Sequence, residues 1–268
     1  MLQSRKKVYL VVGGQYHDMD FARLELLKML AREPAIRTTV AANYEDVAAI
    51  EQSDLLITYT CNLIPSEAIQ LCLKSFLENG GRWLALHGTN SILEFTRDSK
   101  QVHCPQNAPV MMKLLGSQFM AHPPMSKFTV TVRDPSHPVV DGVSDFNIED
   151  ELYLSQINSD IKVILDVGFA GDTKPFVKDS WEEARHPILY SNQVGLGEVL
   201  YFNLGHCRGH WDMPEFTDYY PDIEKGPWDL PVFNLLLWRS LQWCLGAYEE
   251  KGEMTFKGDG GRVDESRN

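Results

Sequence analysis

Two rhythms of apolar positions divide the chain. In the first third, short apolar runs alternate with stretches of helical spacing. Lys7 to Val12 is an apolar run ending at Gly13-Gly14 and reads as the first strand. Phe21, Leu24, Leu27 and Leu30 follow at helical spacing, with Asp18 or Asp20 as N-cap. Asp54 to Tyr59 is the next run. Pro65-Ser66-Glu67 opens a helix with apolar Ile69, Leu73, Phe76 and Leu77, closed by Gly80-Gly81. Arg82 to Leu86 is the third strand of this reading. Strands joined through single helices predict parallel βαβ units with helices on both faces of a sheet.

Further along, the rhythm changes. His103 to Pro124 is rich in Pro, Met and His and reads as irregular. Phe128, Val130 and Val132 alternate as a strand, and "NIEDELYLSQ" (147–156) leads to another around Lys162 to Val167. Pro187 to Asn192 and Glu198 to Asn203, joined through Val194-Gly195-Leu196-Gly197, predict a hairpin. "LGHCRGHW" enters a long loop to about Pro231, and Val232 to Leu245 reads as a buried terminal helix. The pattern predicts a single α/β domain over 1–248 with insertions at about 95–127 and 205–231, and a mobile charged, glycine-rich tail over 249–268.

Composition narrows the function classes. The net charge is −12 and no basic run is present, which argues against nucleic acid and anionic membranes as partners. The first apolar run is too short for a signal-peptide core or a membrane span. Five cysteines at irregular spacing, none as CxxC, predict a reduced, cytoplasmic protein. GxGxxG is absent, so no nucleotide cofactor is expected.

Ligands in open α/β sheets sit beyond the carboxyl ends of the strands. Just past the predicted strands stand Gln15, Tyr16 and His17; Thr60, Cys61 and Asn62; His87, Gly88, Thr89 and Asn90; and Gly205, His206, Cys207, Arg208 and His210. A single histidine after a strand is most often a hydrogen-bonded structural residue. Three of the eight (His17, His87 and His206) at one predicted edge favour a site instead. Imidazoles there serve proton transfer or bind a divalent transition metal such as zinc. No HExxH-type spacing is present, so metal ligands would have to converge from separate loops.

Other candidates carry their bland alternatives with them. The carboxylates Glu149, Asp150 and Glu151 read first as a solvated acidic turn, and functionally as a base or third ligand at Glu151 beside a sugar-contacting Tyr153. His122, fixed before two prolines, suits a site residue or a loop anchor equally. Trp211 is a sugar platform or a cover for the core. His137 and His186 each precede a Pro at a strand boundary and read as structural. Cys61 is a nucleophile by position, but nothing beside it in sequence would lower its pKa, so it reads as a small apolar residue.

Taken in order, "VVGGQYHD", "DLLITYTCN", "GGRWLALHG", "LLGSQFMAHPP", "DPSHPVVDGV", "DELY" and "GEVLYFNLGH" resemble the ThuA-like family, named for trehalose utilization, from about Lys7 to Gly246. The resemblance implies a flavodoxin-like three-layer sandwich with a mostly parallel central sheet, like the class I glutamine amidotransferases. Those enzymes carry a catalytic Cys at the elbow where this chain has His87, so glutaminase activity is not expected. Cys207 stands where the commoner family pattern has an Asp after the His of LGH. The family is associated with disaccharide breakdown and with oxidation of sugars to 3-keto forms, whose acidic C–H invites elimination, hydration or isomerisation.

The expectation is therefore a carbohydrate-acting enzyme, a hydrolase, lyase or isomerase, working on a disaccharide or 3-keto sugar by His/carboxylate acid-base chemistry with or without metal assistance. His87, Glu151 and His206 would be its catalytic groups, His17, His87 and His206 its metal ligands, and Gln15, Tyr16, Asn90, His122, Tyr153 and Trp211 its substrate contacts. A small-molecule sugar is the expected partner, and self-association into a homo-oligomer stays open. The rivals are a non-catalytic sugar-binding or regulatory protein and a Cys61-dependent hydrolase.

Overall fold

In the computed structural model, which describes residues 5–96 and 101–246, the first apolar run forms β1 (Lys6–Gly14). The expected tail lies outside the described residues. The elements that follow are α1 (Met19–Leu30), β2 (Ile36–Ala41), α2 (Val47–Glu51), β3 (Leu55–Cys61), α3 (Glu67–Glu78) and β4 (Arg82–Leu86). Next come β5 (Glu94–Thr96), β6 (Gln101–His103), α4 (Pro109–Leu115), β7 (Ser117–Ala121), β8 (Ser126–Val132), β9 (Phe146–Asp150) and β10 (Leu154–Ile157). The chain closes with β11 (Lys162–Asp172), β12 (Ser180–Val194), β13 (Gly197–Phe202) and α5 (Pro231–Cys244).

A nine-stranded sheet runs in the order β2-β1-β3-β4-β13-β12-β11-β8-β9. From β2 to β13 neighbouring strands are parallel; from β13 to β9 they are antiparallel. The parallel half is the one the helix-separated strands predict. The rest is antiparallel because β12 and β13 form a tight hairpin, with Val194 opposite Gly197. Strand alternation sorts side chains between two cores. Val8, Leu10 and Val12 pack with α1 and α5 on one face, while Tyr9 and Val11 pack with α2, α3 and α4 on the other. The result is the three-layer α/β sandwich anticipated from the pattern. Trp83, fully buried, anchors the second face and donates its indole N–H to Thr58 Oγ1 at 2.9 Å.

Two segments differ from the sequence reading. β2 was absent from it, because "IRTTVA" is polar and sits at the open edge of the sheet, where its side chains alternate between partial burial and exposure. Residues 103–124 are not irregular throughout: α4 starts on Pro109, ends at Gly116 in the left-handed conformation, and hands over to β7. As a consequence His87 follows the fourth strand of the chain, not the third. Among the described residues no helix is long and apolar enough to cross a membrane.

Candidate functional site

The carboxyl ends of the adjacent parallel strands β1, β3 and β4 each carry a non-glycine residue in the left-handed region: Tyr16 (φ 70°), Asn62 (φ 54°) and His87 (φ 38°). Such a backbone costs about 1–3 kcal/mol per residue and persists only where the surroundings over-determine it. At His87 they do. Tyr201 Oη donates to the His87 carbonyl and accepts from the Asn90 N–H, and Thr89 Oγ1 turns back onto Leu86 O. Gly88 is required next to it, since a Cβ there would lie 2.7 Å from Thr60 O. Gly14, with φ 110°, is equally required, because a Cβ would fall 1.9 Å from Cys61 O.

These turns aim three imidazoles and one carboxylate at a common point. One donor atom each from His17, His87, Glu151 and His206 lies within 4.8 Å of every other, and all four residues are buried. His87 Nδ1 sits 2.9 Å from Asn203 O, and His17 Nδ1 sits 3.4 Å from Gln15 O. A carbonyl only accepts, so each Nδ1 carries the hydrogen and each neutral Nε2 is left an acceptor, that of His17 lying 3.5 Å from Tyr153 Oη. The two Nε2 atoms face one another at 2.9 Å. His206 donates Nε2–H to Glu224 Oε2 at 2.7 Å and turns Nδ1 inward. That Nδ1 lies 3.0 Å from Glu151 Oε2 but outside hydrogen-bond geometry, leaving it buried without a hydrogen-bond partner. Glu151 Oε2 stands 3.9 Å from His17 Nε2 and 3.8 Å from His87 Nε2.

Charge in this cluster is balanced by a second layer. Arg208 bridges Glu151 Oε1 at 3.0 Å and Glu224 Oε2 at 2.9 Å. Burial drives His87 down to about 3, helped by His206, and drives His17 well below its ordinary value. His206 goes the other way: burial opposes its charge, but Glu151 and Glu224 carry it up to about 9. Burial would raise Glu151; His122, His206 and Arg208 overcome it and hold the carboxyl well below its usual range. Asp150 anchors the loop that bears His206. Its carboxylate accepts from Gly205 N at 2.8 Å and His206 N at 3.1 Å, and burial lifts it to about 7 against those bonds.

His17 and Glu151 of the cluster line a cavity of about 260 Å³, with His87 and His206 buried behind them. Tyr16, Phe119, Tyr153, Phe176 and Tyr220 wall it, and His122 lines its side, with Nδ1 turned to Pro123 O at 2.8 Å and Nε2 3.8 Å from Glu151 Oε1. A larger hollow of about 550 Å³ lies around Gly80 and Arg82, at the opposite ends of the strands, away from any of these groups.

The expected site residues separate accordingly. His17, His87, Glu151 and His206 come together, with His122, Tyr153 and Tyr16 around the cavity. Only Glu149 of the three adjacent carboxylates is solvated; Asp150 and Glu151 are buried, which corrects the acidic-turn reading. Gln15 is exposed and pairs through its side chain with Asn62; only its backbone carbonyl touches the cluster. Asn90 lies behind the elbow, donating to Ser117 and Ser155 hydroxyls. Trp211 is 73% exposed, stacked edge-on to Tyr219 outside the cavity. His137 and His186 pack on Trp243 and Trp181, away from the cluster. Cys207 contacts Tyr59 Oη and Asp18 O, and burial pushes the Cys61 thiol well up, the opposite of an activated nucleophile. Arg208, Asp150 and Glu224 were not foreseen as site residues. Arg208 and Asp150 stood beside predicted site residues; nothing around Glu224 in the sequence marks it.

The model of the ThuA family, described as trehalose utilisation, matches residues 7–220. Among solved structures, a ThuA-like protein from Parabacteroides merdae ATCC 43184 superposes with a TM-score of 0.68 at 14% identity, over 95% of this chain and 94% of that one. A ThuA-like protein from Bacteroides uniformis ATCC 8492 gives 0.64 at 18% identity, over 92% and 94%. The GH42 beta-galactosidase Gan42B from G. stearothermophilus gives 0.51 at 14% identity; the match covers 94% of this chain and 31% of the galactosidase. At these identities the likeness is one of fold. No curated protein matches.

Proposed function

The chain belongs to the ThuA family of trehalose utilisation, and from that premise we propose that it is a carbohydrate-acting enzyme with a divalent metal held by His17, His87, His206 and Glu151. Its substrate class is a disaccharide or the corresponding 3-keto sugar. One observation carries the metal reading: two neutral Nε2 acceptors face each other at 2.9 Å beside a buried carboxylate, with His206 Nδ1 turned toward the same carboxylate at 3.0 Å. Lone pairs in such contact repel unless a cation lies among them. Each imidazole is also oriented from behind by an acceptor (Gln15 O, Asn203 O or Glu224), the arrangement that fixes the tautomer of metal-binding histidines. Three His with one carboxylate suit zinc or a similar transition ion.

Such an ion, when bound, supplies Lewis-acid polarisation of a carbonyl or hydroxyl oxygen. The chain's own residues do the remainder. His122, with Nδ1 turned to Pro123 O, presents Nε2 at the cavity wall, where it takes the proton from the carbon beside a ketone and returns it. Burial holds the Tyr153 phenol protonated, so it donates to an oxygen that gains charge. The aromatic walls exclude water and stack against the C–H face of a sugar ring. Arg208, tied to two carboxylates, balances charge behind the cluster.

The test has two parts. Purified protein is assayed for bound transition metal by mass spectrometry, with His87→Ala and His206→Ala beside it. A 3-keto disaccharide in deuterated water is then followed by NMR for exchange at the carbon beside the ketone, and for product. Stoichiometric metal lost in both variants, with exchange that needs His122, is the expected result. Sugar binding without exchange or turnover supports the non-catalytic rival, and inactivation by thiol alkylation would revive Cys61.

A further inference from the structure

Outside the inner cavity lies a second one of about 740 Å³, and the two share Tyr16, Leu93, Phe95 and Phe216 as a common wall. Phe95 packs edge-on against Phe216 at 4.6 Å and against Tyr16 at 5.3 Å, so three rings form the aromatic frame at the boundary between them. The inner cavity, at about 260 Å³, falls below the usual range for drug-sized ligands and accommodates one sugar ring. A two-ring substrate must therefore extend through the aromatic frame.

The outer cavity has the chemistry to receive its second half. Glu215 and Gln101 lie on its wall, offering a carboxylate and an amide to sugar hydroxyls, beside the exposed ring face of Phe216. Tyr16 joins the two spaces: it walls both cavities, and burial, aided by the charge of Glu215, raises its phenol pKa. An apolar platform with adjacent carboxylate and amide groups matches a pyranose ring, which has apolar C–H faces and a rim of hydroxyls.

We propose that the outer cavity is a second sugar subsite, so that this chain recognises a disaccharide by placing one ring over the His/Glu cluster and the other between Phe216, Glu215 and Gln101. The inference rests on the carbohydrate reading above but concerns binding alone. It is tested by calorimetry on the full chain, with metal-replete wild type, Gln101→Ala and Glu215→Gln, and with α,α-trehalose and methyl α-glucoside as probes. Wild type binds the two-ring probe at least about tenfold tighter than the one-ring probe. Each substitution removes most of that preference and leaves one-ring binding within about twofold. Gln101 and Glu215 are exposed and line the outer cavity without lining the inner one, so their substitution leaves the fold and the inner cavity intact, which thermal melting checks. Equal affinity for the two probes, an unchanged preference in both variants, or no binding of either probe overturns the second subsite. A preference that persists in protein without turnover leaves the subsite standing and removes the proposed reaction.

Discussion

His17 Nε2 and His87 Nε2, 2.9 Å apart, set the geometry of the cluster at the scale of single residues. The carboxylate behind His206 is the most informative residue to change. Glu224→Gln keeps an acceptor but loses the charge that orients and strengthens the imidazole. Metal affinity is expected to fall about 10- to 100-fold with the fold unaltered, as read by competition with a chromogenic chelator. The conservative Glu224→Asp is expected to recover part of it. The elbow is a second residue-scale test. Gly88→Ala drives a Cβ to 2.7 Å from Thr60 O and 2.9 Å from Cys61 Cβ, and backbone cannot yield as a side-chain tip can. A loss of about 1–3 kcal/mol in urea denaturation is expected, with misplacement of His87 and loss of bound metal.

Elements were legible where their pattern is local. α1 is capped as its sequence suggests, with Asp18 accepting from Phe21 N at 2.9 Å; Asp18→Ala is expected to cost about 1 kcal/mol in stability, measured by chemical denaturation. α3 starts at Ser66 and stops before the glycines, and β4 delivers His87 where the apolar run ends. Three histidines could be grouped in advance because strand ends share an edge whatever the packing. The partners of those histidines could not. Glu224 reaches His206 only because a long loop returns antiparallel to residue 208, through Arg208 N–H to Glu224 O at 2.8 Å and the reverse bond at 2.9 Å. Glu151 looked solvated because three acidic residues in a row usually are, and its burial depends on Arg208 from the other end of the chain. β2 was missed for the converse reason: an exposed edge strand has no apolar run to show.

At the scale of the whole molecule, acid sensitivity follows from buried neutral histidines distant from the cluster. Burial lowers His137, against Trp243, and His186, against Trp181, below their ordinary value of 6.5. Below that pH the unfolded chain binds protons that the native chain refuses, so the contribution of these two residues is full above about 6.5 and declines as pH falls toward the depressed values. Urea midpoints are expected to drop between about pH 6.5 and 5.5. His137→Asn, which keeps an acceptor for Val139 N, should flatten part of the drop. A ligand bound to native protein alone adds about 4 kcal/mol at a thousandfold excess over its dissociation constant, so added zinc should raise the melting temperature of wild type and not of His206→Ala. The order of the sheet has a consequence for biosynthesis. β13, made late, lies between β4 and β12 and is the one seam joining the parallel and antiparallel halves. Until a ribosome has released residues 197–206, the early strands have no neighbour on that side and His87 lacks its Asn203 acceptor. A metal held as proposed could load only once residue 206 has emerged, and a chain truncated before His206 would lack one of its four ligands and be left with an open sheet edge that quality control can detect.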